Sequence, residues 1–149
     1  MLVYTASTEI DATTEQVWDV LTDFSSYPAW SAFITGVGDT VVVGEPIQIT
    51  LVTRGGRSST FTPRLIALER GRRFAWSGHL LHPAIFTGVH ELVLEPVSAD
   101  RTRLIHRETL TGPLPYLMYP LLKMNSSSYR DYNAALKQRV ESSDEPAKS

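Results

Sequence analysis

Two changes in the period of the apolar residues divide the chain into a mixed beginning, an extended middle and a helical end. At the beginning, Leu2–Ile10 is rich in residues that favour extended backbone, which predicts a first strand. A helix is predicted next, because Thr13 and Gln16 have the spacing of a capping box and apolar residues recur at helical intervals after them. Pro28, with aromatic residues on both sides, indicates a second short helix or turn.

From residue 36 onward, glycine-containing turns separate runs of β-branched and aromatic residues at regular spacing. Connections this short join antiparallel neighbours, because a parallel crossover needs roughly a dozen residues or more. The middle of the chain is therefore predicted to be an antiparallel meander. Its predicted strands are Thr40–Val43, Ile47–Arg54, Ser59–Glu69, Arg73–Leu80, Gly88–Pro96 and Thr102–Thr111.

After Gly112-Pro113 the apolar residues return to a helical period. One apolar face predicts a helix over Pro115–Glu141, about 40 Å long. Pro120 lies too far inside this helix for its first turn, so a kink or a broken start is expected there. The polar residues 142–149 are expected to form a disordered tail, which leaves residues 1–141 as a single domain.

A strongly twisted antiparallel sheet of this length curls, and its concave face has to be covered. The C-terminal helix is the only predicted element long enough to cover it. The predicted fold class is therefore α+β with a helix-grip arrangement: a curved, six- to seven-stranded antiparallel sheet wrapped around a long C-terminal helix, with two short helices after the first strand. Such a closure leaves an elongated cavity between sheet and helix for a small apolar molecule.

Composition and charge exclude several classes of function. Fourteen basic and sixteen acidic residues give a net charge of −2, too close to neutral for a face that binds nucleic acid. The sequence has no cysteine, which excludes disulfides, thiolate nucleophiles and cysteine-containing zinc sites. It also has no apolar run of the length of a membrane span or of a signal-peptide core. A cytoplasmic protein without a membrane span is expected.

An ordered series of short motifs runs through roughly residues 3–141. The motifs are Ile10-Asp11-Ala12, Val17-Trp18, Leu21-Thr22-Asp23, Tyr27-Pro28, Trp30, Phe33, Phe61-Thr62-Pro63-Arg64, Gly71-Arg72-Arg73-Phe74, Trp76, Phe86-x-Gly88-x-His90, Leu94-Glu95-Pro96, Thr102-Arg103, His106-x-Glu108-x-x-x-Gly112 and Asn133-x-x-Leu136-Lys137. This series resembles the START-like (SRPBCC, Bet v 1-like) superfamily. Within it, the series is most similar to the polyketide cyclase/dehydrase and lipid-transport branch.

The resemblance implies the fold predicted above and leaves the activity open, because this fold hosts lipid carriers, hormone receptors, cyclases and co-chaperones alike. Three functions are expected as alternatives. The first is binding of a small hydrophobic, ring-containing molecule, the second is a cofactor-free cyclase or dehydratase, and the third is a protein–protein adaptor. Related sequences often carry an acidic residue just before His90, where this chain has Val89. An activity that needs that carboxylate is absent here.

Three residues of the last two predicted strands, His90, His106 and Glu108, are the candidates for acid–base catalysis. A tight turn near Ala99-Asp100 would place His90 opposite Glu108 and Leu92 opposite His106, all on the face towards the helix. A carboxylate that bonds an imidazole fixes its tautomer and raises its basicity, which suits removal of a proton beside a carbonyl group. The alternative is that these polar groups satisfy one another in the interior or orient a ligand.

Aromatic and apolar residues near the predicted cavity are the candidates for ligand contact. Trp30, Phe33 and Trp76 are suited to stack on a ring. Packing of the small helices onto the sheet is the alternative for Trp30, and packing in the core is the alternative for Trp76. For Trp18, which lies in the apolar stripe of the first helix, packing is the preferred interpretation. The predicted ligand-binding residues are Trp30, Phe33, Trp76, Leu92, Leu117, Leu121 and Asn125.

Two further features lead to weaker hypotheses. His79 and His82 have a metal-ligand spacing only on a helix, and Pro83 follows directly, so neither a metal nor another cofactor is expected. Tyr116 and Tyr119, with leucines around them, form an apolar patch at the start of the last helix. Ordinary helix packing, a lid over the cavity mouth and a homodimer contact are the alternatives for this patch.

Overall fold

The computed structural model describes residues 1–53 and 55–143, within which eight strands and five helices form an α+β fold. The strands are β1 (Leu2–Ile10), β2 (Ile34–Val37), β3 (Ile49–Val52), β4 (Ser58–Phe61), β5 (Arg64–Glu69), β6 (Arg73–His79), β7 (Thr87–Ser98) and β8 (Arg101–Thr111). The helices are α1 (Thr14–Leu21), α2 (Tyr27–Trp30), α3 (Leu114–Leu117), α4 (Tyr119–Asn125) and α5 (Ser127–Ser143), with a 3-10 turn at Phe24–Ser26.

The strands pair antiparallel in two sheets. Five of them form one sheet in the order β1-β8-β7-β6-β5, and the others form a second in the order β2-β3-β4. The predicted fold class is confirmed, although the sheet is divided and not continuous over six or seven strands. The division falls at Thr62-Pro63, inside the strand predicted over Ser59–Glu69. Pro63 has no N–H to donate to a ladder, and at this point the pairing is reduced to an isolated bridge between Pro46 and Arg64.

The strand predicted at Thr40–Val43 is wrong. Pairing instead occurs earlier, where β2 (Ile34–Val37) pairs with β3. Just after β2, the Gly38 N–H donates to the Gln48 carbonyl at 2.8 Å. Thr40–Val43 belongs to no ladder in the described part of the chain, and the side chains of its last two valines are exposed. β-Branched residues favour extended backbone, but a strand also needs a neighbouring backbone with which to pair.

The first helix begins at the predicted capping box. The Thr13 side chain accepts from the Gln16 N–H at 3.1 Å, and the Gln16 side chain accepts from the Thr13 N–H at 2.8 Å. Helix α1 then buries Val17, Trp18 and Leu21 in the main core, so Trp18 is a packing residue. This core lies between the large sheet and the helices, and from β7 and β8 it contains Leu92, Leu94 and Leu104.

The C-terminal helix is broken into α3, α4 and α5. Pro120 lies in the first turn of α4, which confirms the broken start expected at this proline. Helix α5 packs against β1 and α1 through a buried face that includes Tyr132, Leu136 and Val140. It continues to Ser143, into the segment predicted as a tail, and the rest of that tail lies outside the described residues. Among the described residues, no helix has both the length and the apolar character needed to cross a bilayer.

Candidate functional site

The pairing of β7 with β8 brings the three candidate acid–base residues together on the sheet face towards α5. His90 lies opposite Glu108, and Leu92 lies opposite His106, as predicted, with a register shift between Pro96 and Ser98 next to the turn. His90 and His106 are buried, with exposed fractions of 5% and 0%, whereas the Glu108 side chain is 21% exposed. The register thus buries the two imidazoles and leaves the carboxylate accessible. The catalytic role of these residues stays a prediction.

A continuous series of hydrogen bonds joins these side chains. Nδ1 of His90 lies 2.6 Å from Oε2 of Glu108, and Nε2 of His90 lies 2.5 Å from Nε2 of His106. The Tyr129 hydroxyl, on α5, donates to the same Oε2 of Glu108 at 3.0 Å. At the other end, Nδ1 of His106 lies 3.2 Å from Oδ1 of Asn133. We call these five residues the polar chain: Tyr129, Glu108, His90, His106 and Asn133.

Helix α5 anchors the polar chain to the opposite edge of the sheet. The Asn133 side chain is fully buried, and its Nδ2 donates to the Ala6 carbonyl of β1 at 3.1 Å. Tyr129 and Asn133 are four residues apart, so they project from the same face of α5. One face of α5 therefore supplies both end members of the polar chain, Tyr129 next to Glu108 and Asn133 next to His106.

Burial shifts the ionisation of the groups along this chain. It lowers the pKa of His106 well below the ordinary value of 6.5, and the adjacent His90 lowers it further, against an opposing effect of the hydrogen bond with Asn133. Burial also raises the pKa of the Tyr129 hydroxyl, and the Glu108 carboxylate adds to that effect. At neutral pH, His106 is therefore an uncharged imidazole and Tyr129 is a protonated hydrogen-bond donor.

The His106 pKa predicts a loss of stability in mild acid. In the unfolded chain the imidazole takes up a proton below about pH 6.5, whereas in the folded protein it does so only at much lower pH. The unfolded state therefore binds more protons as the pH falls, and between about pH 7 and about pH 5 this residue alone is expected to remove about 2 kcal/mol from the free energy of unfolding. Urea denaturation at the two pH values measures the change.

The His106→Phe variant is the control, because it lacks this imidazole. Between about pH 7 and about pH 5, its free energy of unfolding should fall by about 2 kcal/mol less than that of the unchanged protein. An equal loss in the variant, or an NMR titration of the His106 ring with its midpoint near pH 6.5, would contradict the prediction.

Aromatic rings enclose the two imidazoles. The Trp76 ring stacks on the His90 ring with a centroid distance of 4.5 Å and an interplanar angle of 5°. Phe33 packs at 6.3 Å from both His90 and His106, and at 5.5 Å from Tyr129. The polar chain is therefore shielded from water except where Glu108 and His90 reach a cavity.

This cavity, of about 640 Å³, lies beside β5, β6 and β7 and is bordered by the second sheet and the loop of residues 80–86. Two opposed glycines, Gly78 and Gly88, form part of its wall, so the sheet presents no side chains at this point. Its lining residues are Pro46, Leu51, Phe61, Thr62, Pro63, Arg64, Ile66, Trp76, Ser77, Gly78, His79, Leu80, Pro83, Phe86, Thr87, Gly88, His90 and Glu108.

The predicted ligand-binding residues are dispersed relative to this cavity. Trp76 lines it, whereas Leu92 is buried in the core and Phe33 packs behind the imidazoles. The Trp30 ring packs on the Tyr132 ring with a centroid distance of 5.4 Å, so Trp30 has the packing role that was the alternative to ligand stacking. The other three residues lie on α3 and α4 and do not line the cavity: Leu117 (80% exposed), Leu121 (51% exposed) and Asn125. Ligand contact at Leu117, Leu121 and Asn125 therefore stays a prediction, as does a homodimer contact by the adjacent patch.

Sequence reasoning missed several site residues. Tyr129 and Asn133 lie next to the predicted apolar stripe of the last helix, and their spacing of four was the available signal. No local pattern singled out Gly78 and Gly88 as cavity residues, because glycine also occurs at bulges and turns.

The remaining histidines serve the loop and the cavity rim. Nδ1 of His82 accepts from the Ala84 N–H at 3.1 Å and so stabilises the turn, while His79 lies at the end of β6 beside the cavity. Within the described part of the chain, no group of three His, Asp or Glu side chains is arranged to hold a metal ion.

An antiparallel sheet closed by a C-terminal helix, with short helices after the first strand, is the architecture of a START-like protein. The chain belongs to the polyketide cyclase/dehydrase and lipid transport family, which matches residues 1–141. This family and fold are of a kind that binds hydrophobic ligands or acts as a cyclase. No protein of curated function matches the chain.

Solved structures share the fold at low sequence identity. A START superfamily protein from Mycobacterium smegmatis superposes with a TM-score of 0.72 at 18% identity, over 94% of this chain and 97% of that one. The Zhui aromatase/cyclase from a Streptomyces species has a TM-score of 0.72 at 18% identity, over 98% and 97% of the two chains. A protein from Mesorhizobium loti has a TM-score of 0.71 at 19% identity, over 97% and 100%. At these identities the likeness establishes the fold alone.

Proposed function

We propose that the protein binds a small, predominantly apolar, ring-bearing molecule in the cavity beside β5, β6 and β7. One observation carries this proposal: a cavity of about 640 Å³ has mainly apolar walls and meets ionisable side chains only at a few points, among them His90 and Glu108. Cavities of roughly 300–1,000 Å³ with this composition are typical of sites for drug-sized ligands. The apolar walls provide affinity, and the few polar atoms orient the ligand.

The second candidate function is a cofactor-free cyclase, and the polar chain favours it. The Glu108 carboxylate reaches the cavity and is backed by His90, as a positioned general base would be. Glu108 would take a proton from the carbon beside a ketone, and the C–H electron pair would form an enolate. The enolate carbon would then attack a second carbonyl carbon of the same molecule, and the resulting alkoxide would take the proton back from Glu108. The fold shared with an aromatase/cyclase is consistent with this reaction.

Incubation with a linear polyketone separates the two functions. Mass spectrometry and NMR of the recovered compound reveal whether a ring has formed. Unchanged compound that co-elutes with the protein supports a binding protein, and cyclised compound supports the enzyme.

The location of the cavity predicts the effect of filling it. A Cβ atom added at Gly78 would make an ordinary contact of 3.4 Å with Cβ of Pro63, so Gly78→Leu is tolerated by the backbone and projects its side chain into the cavity. We expect Gly78→Leu to weaken the binding of a fluorescent apolar probe at least roughly tenfold, because the ligand would lose about the volume of one side chain. Fluorescence titration measures the change, and circular dichroism verifies the fold.

Val89→Leu is the matched control for this substitution. Val89 belongs to the adjacent strand but to the opposite face of the sheet, and it does not line the cavity. Unchanged affinity in Gly78→Leu, or an equal loss in Val89→Leu, would place the probe elsewhere and refute this location.

A further inference from the structure

Asn133 determines the direction of the hydrogen bonds along the polar chain. Its Nδ2 donates to the Ala6 carbonyl, so the side-chain oxygen, Oδ1, points at Nδ1 of His106 and can only accept. Nδ1 of His106 therefore carries the proton of this uncharged ring. Nε2 of His106 has none and accepts a hydrogen bond from Nε2 of His90.

The other nitrogen of His90 contacts Glu108. The remaining nitrogen of His90, Nδ1, shares one proton with Oε2 of Glu108, and the Tyr129 hydroxyl donates to that same oxygen. An oxygen on which two such contacts converge suits a carboxylate acceptor. Oε2 is thus engaged by two hydrogen bonds.

The other carboxylate oxygen of Glu108 faces the cavity. Among the described residues, both hydrogen bonds to Glu108 end on Oε2 and none ends on Oε1. Oε1 lies next to Gly88, 3.4 Å from the position that a Cβ atom would take there, and both residues line the cavity. A glycine at this position leaves the acceptor uncovered.

The other polar groups around the cavity include a cation that could favour an anionic ligand. Arg64 lines the cavity, and its guanidinium donates to the Gly44 carbonyl at 2.5 Å. The Thr87 hydroxyl donates to the Pro83 carbonyl at 2.7 Å. These bonds tie both side chains to loop backbone, whereas Oε1 of Glu108 remains as an acceptor of full carboxylate strength.

We infer that the cavity selects ring compounds that carry a hydrogen-bond donor, such as a phenol or enol hydroxyl, and that Glu108 Oε1 is the acceptor that holds this donor. This inference rests on the proposed function, because it specifies the ligand chemistry of the same cavity. A ligand carboxylate at this position is disfavoured by like charge, and an ether or ketone oxygen finds no donor on Glu108.

Three naphthalene derivatives of similar size test the inference: naphthol, methoxynaphthalene and naphthoate, each titrated by isothermal calorimetry. Naphthol is expected to bind roughly tenfold to a hundredfold more tightly than methoxynaphthalene, the usual worth of a hydrogen bond to a charged acceptor, and naphthoate more weakly than either. In Glu108→Gln the preference for naphthol should fall to a few-fold and the discrimination against naphthoate should shrink, because the acceptor loses its charge.

Glu91→Gln is the matched control, since Glu91 lies on the same strand as His90 but on the other sheet face, where it pairs with Arg73 and Arg107. It should keep the preference for naphthol. Equal binding of naphthol and methoxynaphthalene, preferred binding of naphthoate, or the same loss in both variants would overturn the inference and leave the apolar cavity as a binding site. Failure of the folded protein to bind any of the three would refute both the inference and the proposed function.

Discussion

Asn133→Leu is expected to lower the free energy of unfolding by about 4 kcal/mol, the largest loss of stability that we predict for a single substitution. Leucine has the same branching and number of heavy atoms in its side chain but bonds to neither partner of the asparagine. The substitution therefore removes a hydrogen bond from each of two buried polar groups, Nδ1 of His106 and the carbonyl of Ala6. Each such group costs about 1–3 kcal/mol when it loses its hydrogen bond in the interior. Chemical denaturation of the variant measures the loss.

A double-mutant cycle with His106→Phe isolates the contact between Asn133 and His106. Phenylalanine removes the buried donor, so Asn133→Leu in that background should cost only the part that belongs to Ala6. We expect a coupling free energy of roughly 1–3 kcal/mol between the two positions. Additive losses would show that the amide does not anchor the histidine, and the direction assigned to the polar chain would then be wrong.

Gly112→Ala is expected to destabilise the protein by about 3 kcal/mol and to loosen the wall of the cavity. Gly112 has a φ of +100°, and a Cβ atom there would overlap the carbonyl oxygen of Ile85. That carbonyl also accepts from the Leu114 N–H at 3.2 Å, so the close approach attaches the 80–86 loop to the start of α3. An alanine has to displace the loop, which carries the lining residues Leu80, Pro83 and Phe86. Denaturation and probe titration are the measurements.

Gly44→Ala separates the cost of placing an alanine at a positive φ from the cost of the overlap with the Ile85 carbonyl. Gly44 has a similar φ of +93°, but no atom of the described residues lies within 4 Å of the position that its Cβ atom would take. It should therefore show only the conformational cost of an alanine with positive φ, about 1 kcal/mol, and unchanged probe binding. If the two variants lose equal stability and bind the probe equally well, the contact between Gly112 and Ile85 contributes nothing.

Much of the fold was predictable because its signals are local. The capping box at Thr13, the break at Pro120 and the antiparallel order of β5 to β8 each follow from residues close together in sequence. The face shared by His90 and Glu108 also follows from the alternation of side chains, but their direct opposition depends in addition on a register shift between Pro96 and Ser98. The errors arose where a local preference lacked a partner, as in the unpaired Thr40–Val43, or where Pro63 interrupted a run that otherwise favours a strand.

The sequence by itself determined the class of the fold, the pairing of the two strands that carry His90 and Glu108, and the burial of both histidines. The tertiary structure alone decided that Asn133 and Tyr129 complete the polar chain. It also decided that the open space lies over Gly78 and Gly88, away from Leu117 and Leu121. These outcomes depend on which face of α5 meets β1 and β8, and on how the second sheet and the 80–86 loop close over the strands. Contacts between such distant segments are set by the packing of the whole domain, so no periodicity within one segment encodes them.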